Sequence, residues 1–143
     1  MGDIDEVLGF LQENHPFYVA TVDVDTPRVR PFGFVMIYEG KLIFACNDQM
    51  NVYKQLKANP NFEISTTNKT NQWIRIQGKA NFINSRETKE TLVGLAPNLR
   101  NLSKEIDGIV IFSADEAEAT FYSFTGAPRT VKLCDPELVN QNE

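Results

Sequence analysis

The chain has little of what most catalytic and metal motifs require. Of its 143 residues one is histidine and two are cysteine, Cys46 and Cys134. Two cysteines are too few for a disulfide framework or a zinc site, and His15 alone cannot build a multi-histidine metal cluster. No Ser or Cys stands beside His15 in sequence, so no nucleophile–base pair is legible, and a helix-terminal or surface position suits it. G-x-S-x-G, P-loop and G-x-G-x-x-G motifs are all missing. If the chain is an enzyme, a cofactor carries the hard chemistry. No apolar run approaches the roughly 20 residues that span a bilayer. The N-terminal stretch MGDIDEVLGF is acidic where a secretory signal is basic. A reduced, cytoplasmic protein is expected.

Positive charge is scarce as well. Fourteen Lys and Arg face 19 Asp and Glu, a net charge of −5, which disfavours nucleic acid and anionic membranes as partners. The scarcity is uneven. Between residues 28 and 57, Arg28, Arg30, Lys41, Lys54 and Lys57 face only Glu39 and Asp48. The acidic excess sits at residues 3–13, at 115–118 and from Asp135 onward. A small anion can therefore find a local home in an acidic protein.

What is present fits an ordinary globular chain, 42% hydrophobic and 23% charged. A chain of this length buries roughly 68–70% of its unfolded surface and needs no staples. Residues 1–134 are read as a single domain and residues 135–143 as a polar, frayed tail. Ile4, Val7, Leu8 and Leu11 repeat at helical spacing, with Asp3 as N-cap and His15-Pro16 as the stop. The β-branched and aromatic run FYVATVDV then predicts a strand over 17–24, the turn Asp25-Thr26-Pro27 reverses it, and residues 28–38 return. KLIFAC continues the meander. Asn47 and Asp48 are good N-cap residues for a helix over 47–58.

Strands are predicted over 61–67 and 72–84, the second placing Trp73, Arg75 and Gln77 on one face. Helices follow from Ser85 and over 98–104. Residues 108–113 and 117–124 read as two strands joined at Asp115-Glu116, with a short strand over 131–133. Six or more hairpin-connected strands with peripheral helices predict a mainly β, closed or partly closed antiparallel barrel.

Three segments carry a chemical signal. Arg28-Val29-Arg30 on a strand sets two guanidiniums about 6.5–7 Å apart on one face, which suits a phosphate or carboxylate clamp or a solvated strand face. The stretch from Cys46 and Asn47 through Asn51 to Lys54 feeds a strand into a helix N-terminus, an anion site by dipole and free N–H groups, or a plain amphipathic helix. Trp73 can flank a flat heterocycle, or belong to a core or subunit interface.

The order TVDVDTPRVRPFGF, GKLIFACND, NVYKQLKANP and WIRIQGKANF resembles the pyridoxamine 5′-phosphate oxidase-like, FMN-binding split-barrel family, and most of all its short bacterial members grouped with nitroimidazole-resistance proteins. The likeness runs from about Phe10 to Leu133. It implies a six-stranded, Greek-key-like antiparallel split barrel that forms a homodimer, with FMN held in grooves between the subunits. It further implies that Arg28, Val29, Arg30, Pro31 and Phe32 lie along the flavin. Cys46, Asn47, Asn51 and Lys54 would then fall around the ribityl phosphate, and Trp73 on the ring. Met50, Asn51 and Val52 stand where the oxidase carries Ser-Arg-Lys, which leaves Arg28, Arg30 and Lys54 to supply the positive charge. The oxidase's carboxyl-terminal Trp and Arg have no counterpart, so oxidation of pyridoxamine phosphate is not expected. The histidine of the nitroimidazole-resistance members is not evident at its barrel position either.

Two leading function classes stay open. One is an FMN-dependent oxidoreductase passing reducing equivalents from NAD(P)H to a small acceptor. The other is a module that holds flavin, haem or another flat ligand for storage or sensing. A ligand-free interaction protein is a third reading, preferable only if the loop proves empty.

Overall fold

The computed structural model describes residues 2–133. Helix α1 (Asp3–Glu13) leads not into one meander but into two hairpins, β1 (Phe17–Asp23) with β2 (Thr26–Phe32) and β3 (Val35–Tyr38) with β4 (Lys41–Asn47). Helix α2 (Asn51–Ala58) leads to β5 (Asn61–Thr67) and β6 (Trp73–Phe82). Helix α3 (Arg86–Leu95) and the 3₁₀ turns Pro97–Asn101 and Ile106–Gly108 precede β7 (Ile109–Tyr122) and β8 (Arg129–Lys132). Every pairing is antiparallel, in the order β2-β1-β5-β6-β7-β4-β3, with β8 added to β7.

β2 and β3 sit at opposite ends of that order, yet only Gly33 and Phe34 separate them in sequence. Three Cα steps reach at most about 11 Å. The two edges must therefore meet, and the sheet rolls into a barrel whose seam runs between β2 and β3 without a ladder. This is a split barrel.

Its interior is aromatic. Phe44 lies 5.8 Å from Phe17 and 5.6 Å from Phe112, and Phe112 also meets Phe62 at 5.8 Å and Phe32 at 6.3 Å. Val19, Ile64, Ile74 and Ile76 complete the lining, while Val7 and Leu11 of α1 and Val52 and Leu56 of α2 pack against the same cluster. A second, smaller core lies outside the barrel, where Ile43, Ala45, Ile109 and Ile111 pack with Leu92 and Leu99. β4 is consequently buried on both faces.

Eight strands form where the family resemblance implied six. Residues 28–38 are two strands because the chain crosses from one sheet edge to the other at Gly33-Phe34. Asp115-Glu116 is not a turn between strands. It is a bulge inside β7, where Glu116 takes φ 50° and the three steps from Asp115 to Glu118 oppose the two from Gln77 to Lys79. The bulge lets the first half of β7 pair with β4 and the second half with β8. Gly2, not Asp3, precedes the first helix and donates its N–H to Asp5 Oδ2 at 3.1 Å. The hairpin loop is Val24-Asp25 rather than Asp25-Thr26-Pro27.

Cys134 and the polar tail lie outside the described residues. Among those described, no helix is long and apolar enough to cross a membrane. Phe112 meets the rings of Phe32, Phe44, Phe62 and Phe82, so Phe112→Ala should cost about 3–5 kcal/mol in urea unfolding at unchanged m-value. A loss below about 1 kcal/mol would contradict a barrel packed around this ring.

Candidate functional site

The register of the first hairpin decides where the two arginines go. Arg28 pairs with Thr21, Arg30 with Val19 and Phe32 with Phe17. Directly opposed residues share a face, so both arginines lie on the face that farther along β2 enters the core. Arg30 sits where the barrel opens towards α2. Its Nη1 donates to Thr21 Oγ1 at 2.7 Å and to the Val19 carbonyl at 3.3 Å, and its Nη2 donates to Gln55 Oε1 at 2.7 Å. Thr21 in turn donates to the same Gln55 oxygen at 2.6 Å. A guanidinium has five N–H donors, so two remain for a ligand. Partial burial lowers the Arg30 pKa from its ordinary value, and the neighbouring Cys46 opposes that shift. Arg28 is more exposed and its Nε donates to Asp23 Oδ2 at 3.3 Å, an ion pair that contributes little.

Helix α2 faces this strand. The expected N-caps, Asn47 and Asp48, do not start it. Asn47 ends β4, and its Oδ1 accepts from the Gln49 N–H at 3.0 Å, making a turn before the helix begins at Asn51. Met50 occupies the N-cap position and supplies no side-chain cap, and the first turn carries no acidic residue. An N-terminus of this kind keeps its N–H groups and positive dipole end available to an anion.

Between β2 and α2 opens a cleft of about 830 Å³, lined among others by Arg28, Val29 and Arg30 on one wall and Asn51, Lys54 and Gln55 on the other. Three cations against one carboxylate, Asp23, make it locally positive. A second cavity of about 500 Å³ shares Arg30 and Met50 with the cleft and continues past Pro31 and Phe32 to Ala45 and Leu99. Its walls are mostly apolar. One end thus suits a phosphate and the other a flat ring, with Arg30 and Met50 at the join.

The profile of the pyridoxamine 5′-phosphate oxidase family matches residues 4–123. The chain belongs to that family. The chain is also similar to a solved NimC/NimA family protein of Clostridium acetobutylicum, with 39% identity, 90% of each chain covered and a TM-score of 0.81. General stress protein 26 of Bacillus anthracis shares the fold at 14% identity, covering 92% of this chain and 99% of its own, TM-score 0.68. A heme-binding protein of Mycobacterium smegmatis does so at 9% identity over 82% of this chain and 52% of its own, TM-score 0.65. No curated protein matches.

Within this member of the oxidase family, the structure brings most, not all, of the expected residues together. Arg28, Val29, Arg30, Asn51 and Lys54 line the cleft, and Pro31 and Phe32 line the cavity beside it. Asn47 lines neither. Its Nδ2 donates to the Leu102 carbonyl at 3.1 Å, tying the turn before α2 to the end of the 3₁₀ segment. Cys46 is buried in the barrel and touches neither space. Trp73 is remote from both within one chain. It stacks on Tyr122 at 5.3 Å and 8° on the outward face and meets the exposed Phe124 at 5.0 Å. Arg75, beside it, pairs with Glu63 at 3.1 Å.

Thr21 and Gln55, which hold Arg30, were not anticipated. The one sequence signal is a glutamine one helical turn after Asn51 and adjacent to the buried Leu56, on a helix whose charged residues, Lys54 and Lys57, are both basic.

Burial pushes the Cys46 thiol from 9.0 up to about 12, against the pull of Arg30. The unfolded thiol ionises first as pH rises, so this group stabilises the fold below pH 9 and that contribution is lost between about 9 and 12. From pH 9 to about 10.5 the native chain should lose on the order of 2 kcal/mol more stability than Cys46→Ala. Parallel losses in denaturant titrations would remove Cys46 as the cause.

Proposed function

We propose that this protein is a cytoplasmic, homodimeric flavoprotein that holds FMN at the subunit interface and passes reducing equivalents from NAD(P)H to a small acceptor. The observation that carries this reading is that a cationic cleft and a mostly apolar cavity lie side by side, with Arg30 and Met50 in the walls of both. Arg28, Arg30, Lys54 and the uncapped start of α2 would hold the phosphate. Pro31, Phe32 and Leu99 of the 3₁₀ segment would receive the ring. The flavin supplies the hydride chemistry when bound. The protein orients it: Gln55 and Thr21 fix the Arg30 fork before a ligand arrives, so little side-chain entropy is lost on binding.

A non-catalytic reading is favoured by one feature. Among the described residues Asp23 is the only carboxylate on the cleft, and it is already paired with Arg28, leaving no free carboxylate there. The same space would then store or sense flavin, or another flat ligand such as haem.

FMN titration by fluorescence quenching should saturate, and the double substitution Arg28→Ala, Arg30→Ala should raise Kd at least about 100-fold, since bonds to charged groups contribute about 1.5–3 kcal/mol each. An unchanged Kd with circular dichroism intact would remove these arginines from the site. Anaerobic mixing of the FMN-loaded dimer with NADH or NADPH separates the two readings: an oxidoreductase bleaches the flavin within turnover time, and a storage module does not.

A further inference from the structure

A third hollow, of about 410 Å³, adjoins the apolar cavity. It shares Gly33, Phe34 and Asn98 with the apolar cavity, and extends past Met36 and Leu95 to His15. We propose that this hollow is the acceptor pocket of the site, and that it takes a small, uncharged planar molecule carrying a hydrogen-bond donor that His15 receives. The proposal rests on the flavin reading for its role and on the cavity alone for its chemistry.

Three observations select that chemistry. Among the described residues, no Lys, Arg, Asp or Glu lines the hollow, so a phosphate or carboxylate entering it would give up water without gaining a charged side-chain partner. Its body is apolar: Phe34, Val35, Met36, Leu95 and Ala96 form the walls, and Leu95 is 61% exposed at the rim among the described residues. Its polar end is oriented. His15 Nδ1 lies 2.7 Å from the Gln12 carbonyl, which can only accept, so Nδ1 carries the proton and Nε2 is an acceptor in the neutral ring. A ring with an O–H or N–H is the complementary ligand.

Gly33 lines both the hollow and the apolar cavity. A Cβ built there meets nothing within 4 Å, so the space beside it is open and a larger side chain enters it without disturbing the fold. Gly33→Val therefore adds its methyl groups at the residue the two spaces share while leaving the barrel intact.

The three methionines allow the pockets to be observed separately, because Met36 lines the hollow and Met50 the cleft and cavity. With ¹³C-methyl-methionine protein, 2-naphthol should shift the Met36 signal saturably, and naphthalene-2-sulfonate should bind at least about tenfold more weakly. His15→Phe, which keeps a ring but removes the acceptor, should weaken 2-naphthol about tenfold, and Gly33→Val should do the same or more. Equal affinity for the sulfonate, a Met36 signal that does not saturate, or insensitivity to both substitutions overturns the proposal. FMN added alone should move Met50. If it does not, the flavin reading fails, whereas failure of 2-naphthol on protein that binds FMN sinks the acceptor pocket alone.

Discussion

Gly33 and Phe34 join the two edges of one sheet across three Cα steps, and the sheet has to curl to let them. That constraint positions everything else. It leaves β2, laddered to β1 on one side only, as one lip of an unpaired seam, so Arg30, Pro31 and Phe32 line open space on the other side. It also draws the turn after β4 and the start of α2 opposite β2, because β3 and β4 leave the seam as a hairpin. The cleft, the apolar cavity and the hollow at His15 lie side by side, the first two sharing Arg30 and Met50 and the last two Gly33, Phe34 and Asn98.

The barrel's charge follows from this arrangement. The net −5 belongs to the chain as a whole, while Arg28, Arg30 and Lys54 converge on one cleft with a single carboxylate. Arg30 is the best held of the three. Thr21 and Gln55 orient it, and the strand register that buries Val19 leaves it no other direction. A loosely held lysine such as Lys54 would add charge but not aim.

Much of this was legible in the sequence because it depends on local pattern. Alternation in FYVATVDV and WIRIQGKANF gave the strand faces, and the shared face of Arg28 and Arg30 follows from period two. The break at Gly33-Phe34 was not legible, since the run 28–38 reads as one strand until the sheet order is known. The bulge at Glu116 was hidden for the same reason: an acidic pair in an apolar run looks like a turn unless Gly78 is known to lie across from it. Asn47 misled in a different way. Its side chain caps a turn two residues on instead of a helix, and both uses favour the same residue type. Cys46 and Trp73 were near the right segments in sequence but point elsewhere, one into the core and the other to the outward face.

The most direct test is a crystal structure of the FMN-loaded protein. The account predicts the phosphate beside Arg30 and the start of α2, and the ring in the cavity beside Pro31 and Phe32. FMN bound away from this seam, with Arg30 still turned only to Thr21 and Gln55, would contradict it.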